Sequence, residues 1–449
     1  MKVHLIAIGG SAMHNMALAL HHKGFEVSGS DDAIFEPSKS RLQAYGLLPK
    51  ELGWFTEKIH DDLDAIILGM HARIDNPELL KAQEKGIPIY SYPEYIYEQS
   101  KNKKRVVIGG SHGKTSITAI VLHVLKNANI NCDFMVGAQL DGFDTMVKLS
   151  DDASIIVLEG DEYLSSPIDL RPKFHWYKPH LAVISGIAWD HINVFPTFEN
   201  YVDQFRIFKN DISEKLFYYA NDEYLQKLSN EPSGCQKTPY DTPNHIIENG
   251  ITYLIEGSNR IPLQIFGIHN LQNIQAAQLI CQSLGVDNTI FYESIQSFNG
   301  AAKRLELVKK TKTMAVYKDF AHSPSKLKAT TEAMKNQYPN RLLVACMELH
   351  TYSSLNKSFL REYKGSMNMA DLPIVFISQK AIQHKKLEEI KPNEVYTSFG
   401  RNDLKVITDS NDLKNLLNSL DWKDSNLLMM SSGTFDGLDL EDLAQLISD

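Results

Sequence analysis

The chain has 449 residues, 43% of them apolar and 22% charged, with a formal net charge of −9. That length suits about three domains of ordinary size, and the acidic balance argues against nucleic acid as a partner, since nucleic-acid proteins carry a basic surplus. Four widely spaced cysteines, Cys132, Cys235, Cys281 and Cys346, exclude a disulfide scaffold and a cysteine metal site, and read as reduced thiols.

Strand-like apolar runs alternate with helical patterns along the chain, which predicts an α/β fold with mostly parallel sheets. Residues 3–8 read as a first strand, Gly9-Gly10-Ser11 as a turn, and 12–22 as a helix. Further strands are expected at 25–28, 65–68 and 87–90, making a Rossmann-like unit over 1–100. Ser100-Lys101-Asn102-Lys103-Lys104 reads as a linker into a central unit, 101–299. Its strands are expected at 105–108, 155–158, 181–185 and 216–220, followed by turns and hairpins over 229–262 and a helix over 269–283. A third unit, 300–449, has apolar runs at 314–317, 342–347, 374–377 and 427–430 and a last helix near 438–447. No run reaches the roughly 18 apolar residues of a membrane span. The opening residues pass straight into a strand rather than a leader, so no membrane insertion and a cytoplasmic location are expected. Nothing in the sequence reports oligomeric state.

The most informative stretch is Gly109-Gly110-Ser111-His112-Gly113-Lys114-Thr115-Ser116. A strand precedes it and a helix follows, the arrangement in which backbone N–H groups wrap phosphates, the lysine reaches the outer ones and the next hydroxyl holds Mg²⁺. A full Walker A would want glycine at Ile108, so the loop is a shortened variant that binds ATP through Gly110, Ser111, His112, Gly113, Lys114, Thr115 and Ser116. The plainer alternative is a chance Gly-Lys-Thr on a surface turn. After the next strand stand Glu159-Gly160-Asp161-Glu162. Glu159, the first acid, is expected as a Mg²⁺ ligand, against a solvated acidic turn.

Other segments are individually open. Gly9-Gly10 lacks the Gly-x-Gly-x-x-Gly spacing of a dinucleotide fingerprint, and suits either a pyrophosphate or a structural turn, with Asp31 and Asp32 placed to meet a ribose or base. Asp190-His191 follows a further strand, where His191 is either a ligand or a structural histidine. Asn273 offers an amide to an adenine edge, while helix capping alone would explain Asn270. Arg304 is expected to reach a γ-phosphate, and Asp319 and His322 to face the end of a strand.

In order, these segments resemble the Mur ligases of peptidoglycan synthesis along nearly the whole chain. The family's Gly-Thr-x-Gly-Lys-Thr appears as Gly110 to Thr115, Glu-Ala-Asp-Glu as Glu159 to Glu162, and Asp-His as Asp190-His191. The His-Asn-x-x-Asn start matches His269, Asn270 and Asn273, and Asp-x-x-His-x-Pro matches Asp319, His322 and Pro324. The resemblance implies an ADP-forming ligase using ATP and Mg²⁺, with UDP-N-acetylmuramate and an amino acid or peptide amine as partners. The acceptor carboxylate becomes an acyl phosphate, which the amine attacks. By the resemblance, Lys114 and Arg304 hold the γ-phosphate, Thr115 and Glu159 one Mg²⁺, and His191 a second. Asn273 meets adenine and Asp319 the ribose. Gly9, Gly10, Ser11, Met13, Ser30 and Asp31 take the UDP moiety, and His71, Arg73, Asn76 and His112 line the muramic-acid pocket. His322 and His350 face the amine substrate.

Gln204 stands where some branches carry a carbamylated lysine, which excludes those branches by chemistry. Two branches remain, one adding L-alanine and one adding the recycled tripeptide L-Ala-γ-D-Glu-meso-diaminopimelate. Lys173-Phe174-His175-Trp176-Tyr177-Lys178-Pro179, Arg304-Leu305-Glu306-Leu307 and the chain length resemble the tripeptide branch. Departures from the family are Gly160 for an alanine, Ser185-Gly186 for an asparagine-bearing segment, Ser323 for a second histidine, and His350 for an arginine. A phosphate-loop small-molecule kinase would share Lys114, Thr115 and Glu159 but have no use for the N-terminal unit, and a nucleotide-binding regulator would tolerate the departures.

Overall fold

A computed structural model describes residues 1–140, 142–189 and 194–447. The chain divides into two compact units. The first takes in residues up to 187 with 197–241 and 276–291, and the second chiefly 242–275 and 292–447.

The first unit holds two large sheets. In one, β1 (Lys2–Ile6), β2 (Glu26–Ser30), β3 (Ala65–Leu68) and β4 (Ile89–Ser91) run parallel in the order β2-β1-β3-β4. β1 stops two residues short of its predicted end. Ala7 turns left-handed at φ 66, and the N–H groups of Ala7 and Ile8 both donate to the Ser30 carbonyl. The expected linker is a tight anchored turn instead. Lys103 is 9% exposed, donates to the carbonyls of Ser150 and Ala153 at 2.6 and 2.8 Å, and pairs with buried Asp133 at 2.7 Å. A buried ammonium needs such partners, so a lysine-rich stretch that reads as solvated is a fixed joint.

The second sheet contains β5 (Lys104–Gly109), β6 (Asp133–Met135), β7 (Val147–Lys148) and β8 (Ile155–Glu159). A hairpin of β9 (Leu164–Ser166) and β10 (Asp169–Pro172) precedes its remaining strands, β11 (Leu181–Ile184), β12 (Lys215–Tyr219) and β13 (Gln236–Tyr240). The order is β13-β12-β11-β5-β8-β6-β7, parallel except for β7. The central strands are apolar on both faces, as strands covered on both sides must be. β13 is polar and carries Pro239, which an edge strand tolerates. That is why its sequence reads as a turn.

In the second unit, β14 (His245–Glu248), β15 (Ile251–Glu256) and β16 (Asn259–Leu263) form the expected hairpins. A six-stranded sheet follows, made of β17 (Glu306–Lys310), β18 (Ala315–Asp319), β19 (Leu342–Leu349), β20 (Leu372–Ile377), β21 (Lys405–Ile407) and β22 (Ser425–Met430), in the order β17-β18-β22-β19-β20-β21. Only β17 is antiparallel. Alternate residues of β19 feed two cores, Ala345, Met347 and Leu349 on one face and Val344 and Cys346 on the other. Among the described residues no helix is long and apolar enough to cross a membrane.

One buried pair should make the first unit sensitive to acid. His4 on β1 lies 3.2 Å from Glu78 with both side chains fully buried, and Glu78 also accepts the Phe55 N–H at 2.7 Å. Burial alone would raise the Glu78 carboxyl, but bonds from His4, the Phe55 N–H and Ser30 outweigh it and hold the carboxyl below its ordinary 4.5. A depressed folded value adds stability above the unfolded value, lost as pH falls through the folded one. Urea midpoints should therefore drop below about pH 4.5 in wild type, and Glu78→Gln should flatten that decline while lowering the midpoint at neutral pH.

Candidate active site

The phosphate loop leaves the C-terminal end of β5, the strand at the middle of its sheet. Ile108 is in register with Glu159 on β8, and Gly109 with Ile184 on β11. Three neighbouring strand ends therefore deliver the loop, the acidic turn and Ser185-Gly186 to one crevice, where open α/β sheets bind ligands. Gly110 adopts φ +120, and a Cβ there would meet the Ser185 backbone nitrogen at 2.7 Å and its hydroxyl closer still. The Ser111 N–H donates to the Gly186 carbonyl at 2.9 Å, and the Ser185 hydroxyl to the His112 carbonyl. Ser185-Gly186 thus floors the loop, a role the sequence reading did not anticipate.

The helix Lys114–Asn127 points its N-terminus into the crevice. Lys114 Nζ donates to the Gly110 carbonyl at 2.8 Å and to Glu162 Oε2 at 2.5 Å. Burial favours loss of its proton, but the carboxylates of Glu162, Asp161 and Glu159 outweigh that and hold its pKa above the ordinary lysine value. Thr115 Oγ1 donates to Glu159 Oε1 at 2.8 Å, and Glu159 Oε2 accepts the Gly137 N–H at 2.7 Å. A hydroxyl and a carboxylate side by side are hard oxygen donors that fit Mg²⁺. Among the described residues no cluster of three or more His, Cys, Asp or Glu forms a metal set. Asp190 and His191 lie outside the described residues.

Glu162 was missed by the sequence reading, which took the first acid of the turn. The Lys173–Pro179 segment lies under that turn. Lys173 pairs with Asp161 at 2.5 Å, Phe174 and Tyr177 are fully buried, and a Cβ on Gly160 would meet Val107 at 2.8 Å. Gln204 turns back to the Asn200 carbonyl at 3.0 Å.

At the first sheet, Gly9 donates its N–H to Asp31 Oδ2 at 2.7 Å, and burial pushes the Asp31 carboxyl up. Ser11 opens the helix Ser11–His22, in which Met13 is buried. Ser30 accepts from Lys58 at 3.0 Å. His71 and Arg73 are exposed, Arg73 bonds Asp75, and Asn76 caps the helix Pro77–Lys85 by accepting the N–H groups of Glu78 and Leu79.

In the second unit Asp319 ends β18 and accepts the N–H groups of Leu305 and Ala321 at 2.7 and 2.6 Å. Burial raises its carboxyl, with Arg304 opposing. The Arg304 guanidinium covers the Phe320 ring at 4.7 Å, and His322 packs edge-on to the same ring. At the start of the helix Ile268–Ser283, burial draws His269 down to about 4. Asn270 is no simple cap: it donates to the Phe266 carbonyl at 2.9 Å and accepts from Asn273 at 3.4 Å. At the end of β19, fully buried Glu348 accepts from the Ser431 hydroxyl and the Phe435 N–H. Its Oε1 lies 3.5 Å from His350 Nδ1. A Cβ on Gly433 would meet both His350 and Glu348, at 2.7 and 2.8 Å.

Residues 2–104 match the family model described as Mur ligase family, catalytic domain, and residues 108–281 match that of the Mur ligase middle domain. A UDP-N-acetylmuramate–L-alanine ligase of Caldicellulosiruptor bescii is 30% identical over 393 residues, 83% of this chain and 83% of that protein. The chain belongs to the Mur ligase family. It is accordingly an ATP-dependent, ADP-forming amide ligase. The solved UDP-N-acetylmuramate–alanine ligase of Thermotoga maritima shares the fold with a TM-score of 0.72 at 20% identity, over 99% of this chain and 98% of that one. A murein peptide ligase from Psychrobacter arcticus does so with 0.67 at 20% identity, over the whole of both chains. The mixed α/β fold with parallel sheets is the one expected of a Mur ligase.

Proposed function

We propose that this Mur ligase joins the carboxyl group of UDP-N-acetylmuramate to the amine of L-Ala-γ-D-Glu-meso-diaminopimelate, in the recycling of peptidoglycan. A carboxylate oxygen of the acceptor attacks the γ-phosphorus and ADP leaves. The amine nitrogen then attacks the acyl carbon, loses a proton, and inorganic phosphate departs with the carboxylate oxygen. Lys114 and Arg304 neutralise the transferring phosphoryl group. Thr115 and Glu159 would hold one Mg²⁺ and His191 a second, and these ions would supply charge neutralisation across the phosphates. Asn273 takes adenine and Asp319 the ribose. The Gly9-Gly10 turn with Asp31 takes the UDP moiety, and residues 1–100, 101–299 and 300–449 serve as acceptor-, ATP- and amine-binding domains.

The observation that carries the tripeptide reading is the buried Glu348 carboxylate beside His350. Hydrogen bonds from Ser431 and the Phe435 N–H, with the His350 ring 3.5 Å away, outweigh burial and hold Glu348 below its ordinary range, so it is anionic. Free L-alanine carries a carboxylate on the carbon that bears its amine and calls for a cation there. In the tripeptide that group is a neutral amide, which an anionic neighbour tolerates. The second reading, addition of L-alanine, is favoured by relatives such as the Caldicellulosiruptor bescii ligase, named for that substrate.

Offered ATP, Mg²⁺, UDP-N-acetylmuramate and each amine separately, the protein should release phosphate at least about tenfold faster with the tripeptide, the preference expected when one ligand leaves a charge unpaired. Mass spectrometry of the product decides between the readings, and L-alanyl product alone would overturn the first. Oxygen-18 in the acceptor carboxylate should appear in the released phosphate.

A further inference from the structure

Ser111, in the phosphate loop, faces the helix Phe198–Asn210. Its hydroxyl lies 2.8 Å from that of Tyr201, and Tyr201 donates to Glu162 Oε1 at 3.0 Å. The other Glu162 oxygen accepts from Lys114, which also donates to the Gly110 carbonyl. Gly110 and Ser111 are adjacent, so the ring closes through loop carbonyl, ammonium, carboxylate, phenol and loop hydroxyl. Ser111, Glu162 and Tyr201 are 3%, 1% and 0% exposed. Satisfied polar networks out of water are rigid, because each member has a costly alternative.

The phenol is placed by the core. The Tyr201 ring meets Phe205 edge-on at 5.2 Å, Phe205 meets Phe174 at 5.5 Å, and Phe174 stacks on Phe208 at 4.5 Å. All three phenylalanines are fully buried. The ring therefore ties the flexible four-carbon lysine stem to a buried, close-packed aromatic cluster.

We propose that Tyr201 is a positioning residue for phosphoryl transfer: it holds Glu162 so that two donors of the Lys114 ammonium are fixed and the third is aimed at a phosphate oxygen of ATP. An ammonium has three donors, and two are accounted for by Gly110 and Glu162. A charge aimed in advance at the transferring group stabilises the transition state without reorganising during the reaction. The effect therefore belongs in kcat more than in ground-state nucleotide affinity. This positioning role rests on the proposed contact of Lys114 with ATP and holds for either amine.

Tyr201→Phe removes one hydroxyl and leaves the aromatic packing. Three measurements test it: kcat with every substrate saturating, the Kd of a non-hydrolysable ATP analogue, and the thermal midpoint. Expected are a fall in kcat of about ten- to a hundredfold, an analogue Kd within about threefold of wild type, and a thermal midpoint within a few degrees. In a Glu162→Gln background the same change should alter kcat less than about threefold, because the phenol acts through that carboxylate. Wild-type kcat in Tyr201→Phe would overturn the proposal. So would equal losses in both backgrounds, or a weakened analogue Kd that accounts for the whole defect. If Tyr201→Phe does not fold, Ser111→Ala opens the ring from its other end and should show the same kcat loss; wild-type turnover in that variant refutes the proposal.

Discussion

Replacing Lys114 with alanine should lower kcat by about a thousandfold, the upper range for losing one preorganised cation or donor at a transferring group. The ammonium sits 2.5 Å from Glu162, with the lysine side chain 15% and the glutamate 1% exposed. Removing it does two things at once: the phosphoryl group loses a positive partner, and a buried carboxylate loses its counter-charge. Breaking a buried pair from one side costs about 3 kcal/mol or more. Lys114→Ala should therefore melt lower, although the sequence alone suggests a purely catalytic lesion. Adding Glu162→Gln removes the stranded charge, so the double variant should regain much of the melting temperature and none of the turnover. Calorimetry and a phosphate-release assay on the same preparations separate the two effects. Near-wild-type turnover in Lys114→Ala would mean that the loop does not bind the phosphates.

Gly110→Ala should lower kcat/KM for ATP by at least about a hundredfold, the loss expected when the donors at a transferring phosphoryl group are displaced. The backbone at φ +120 disfavours any side chain, and the new methyl would lie 2.7 Å from the Ser185 backbone nitrogen. A flexible side chain could swing aside, but a strand-end backbone cannot. The loop must lift, losing the bond from Ser111 to Gly186 and the bond from Lys114 to Gly110. Gly86→Ala is the matched control. Gly86 also has positive φ, at +67, but it ends the helix Pro77–Lys85 with nothing near its Cβ position. It should cost about 1 kcal/mol of stability and leave ATP kinetics unchanged.

Much of the site was legible from the chain because its parts are local. Strand, glycine turn, Lys-Thr and helix are consecutive, and their dihedral and dipole requirements involve only near neighbours. Thr115 was readable because it directly follows Gly113-Lys114, and Glu159 because it directly follows the apolar run that ends at Leu158. Glu162 was harder, as nothing in Glu159-Gly160-Asp161-Glu162 says which acid faces the lysine. Tyr201 carried no signal at all: on an amphipathic helix it reads as a core aromatic, and only its hydroxyl matters to the loop. Lys103 misled, because charge predicts exposure unless a partner such as Asp133 lies across the sheet.

What the chain order determined was the set of turns, the chemistry at the end of each strand and hence the α/β class and the family. What the tertiary structure decided was partnership. The order β13-β12-β11-β5-β8-β6-β7 puts β11 and β8, distant in sequence, on either side of β5, so that Ser185 floors the loop and Glu162 meets Lys114. The reason is physical. A backbone turn is governed by torsions and sterics within a few residues, whereas the partner of a buried charge is chosen by whichever strands the burial of apolar surface brings side by side.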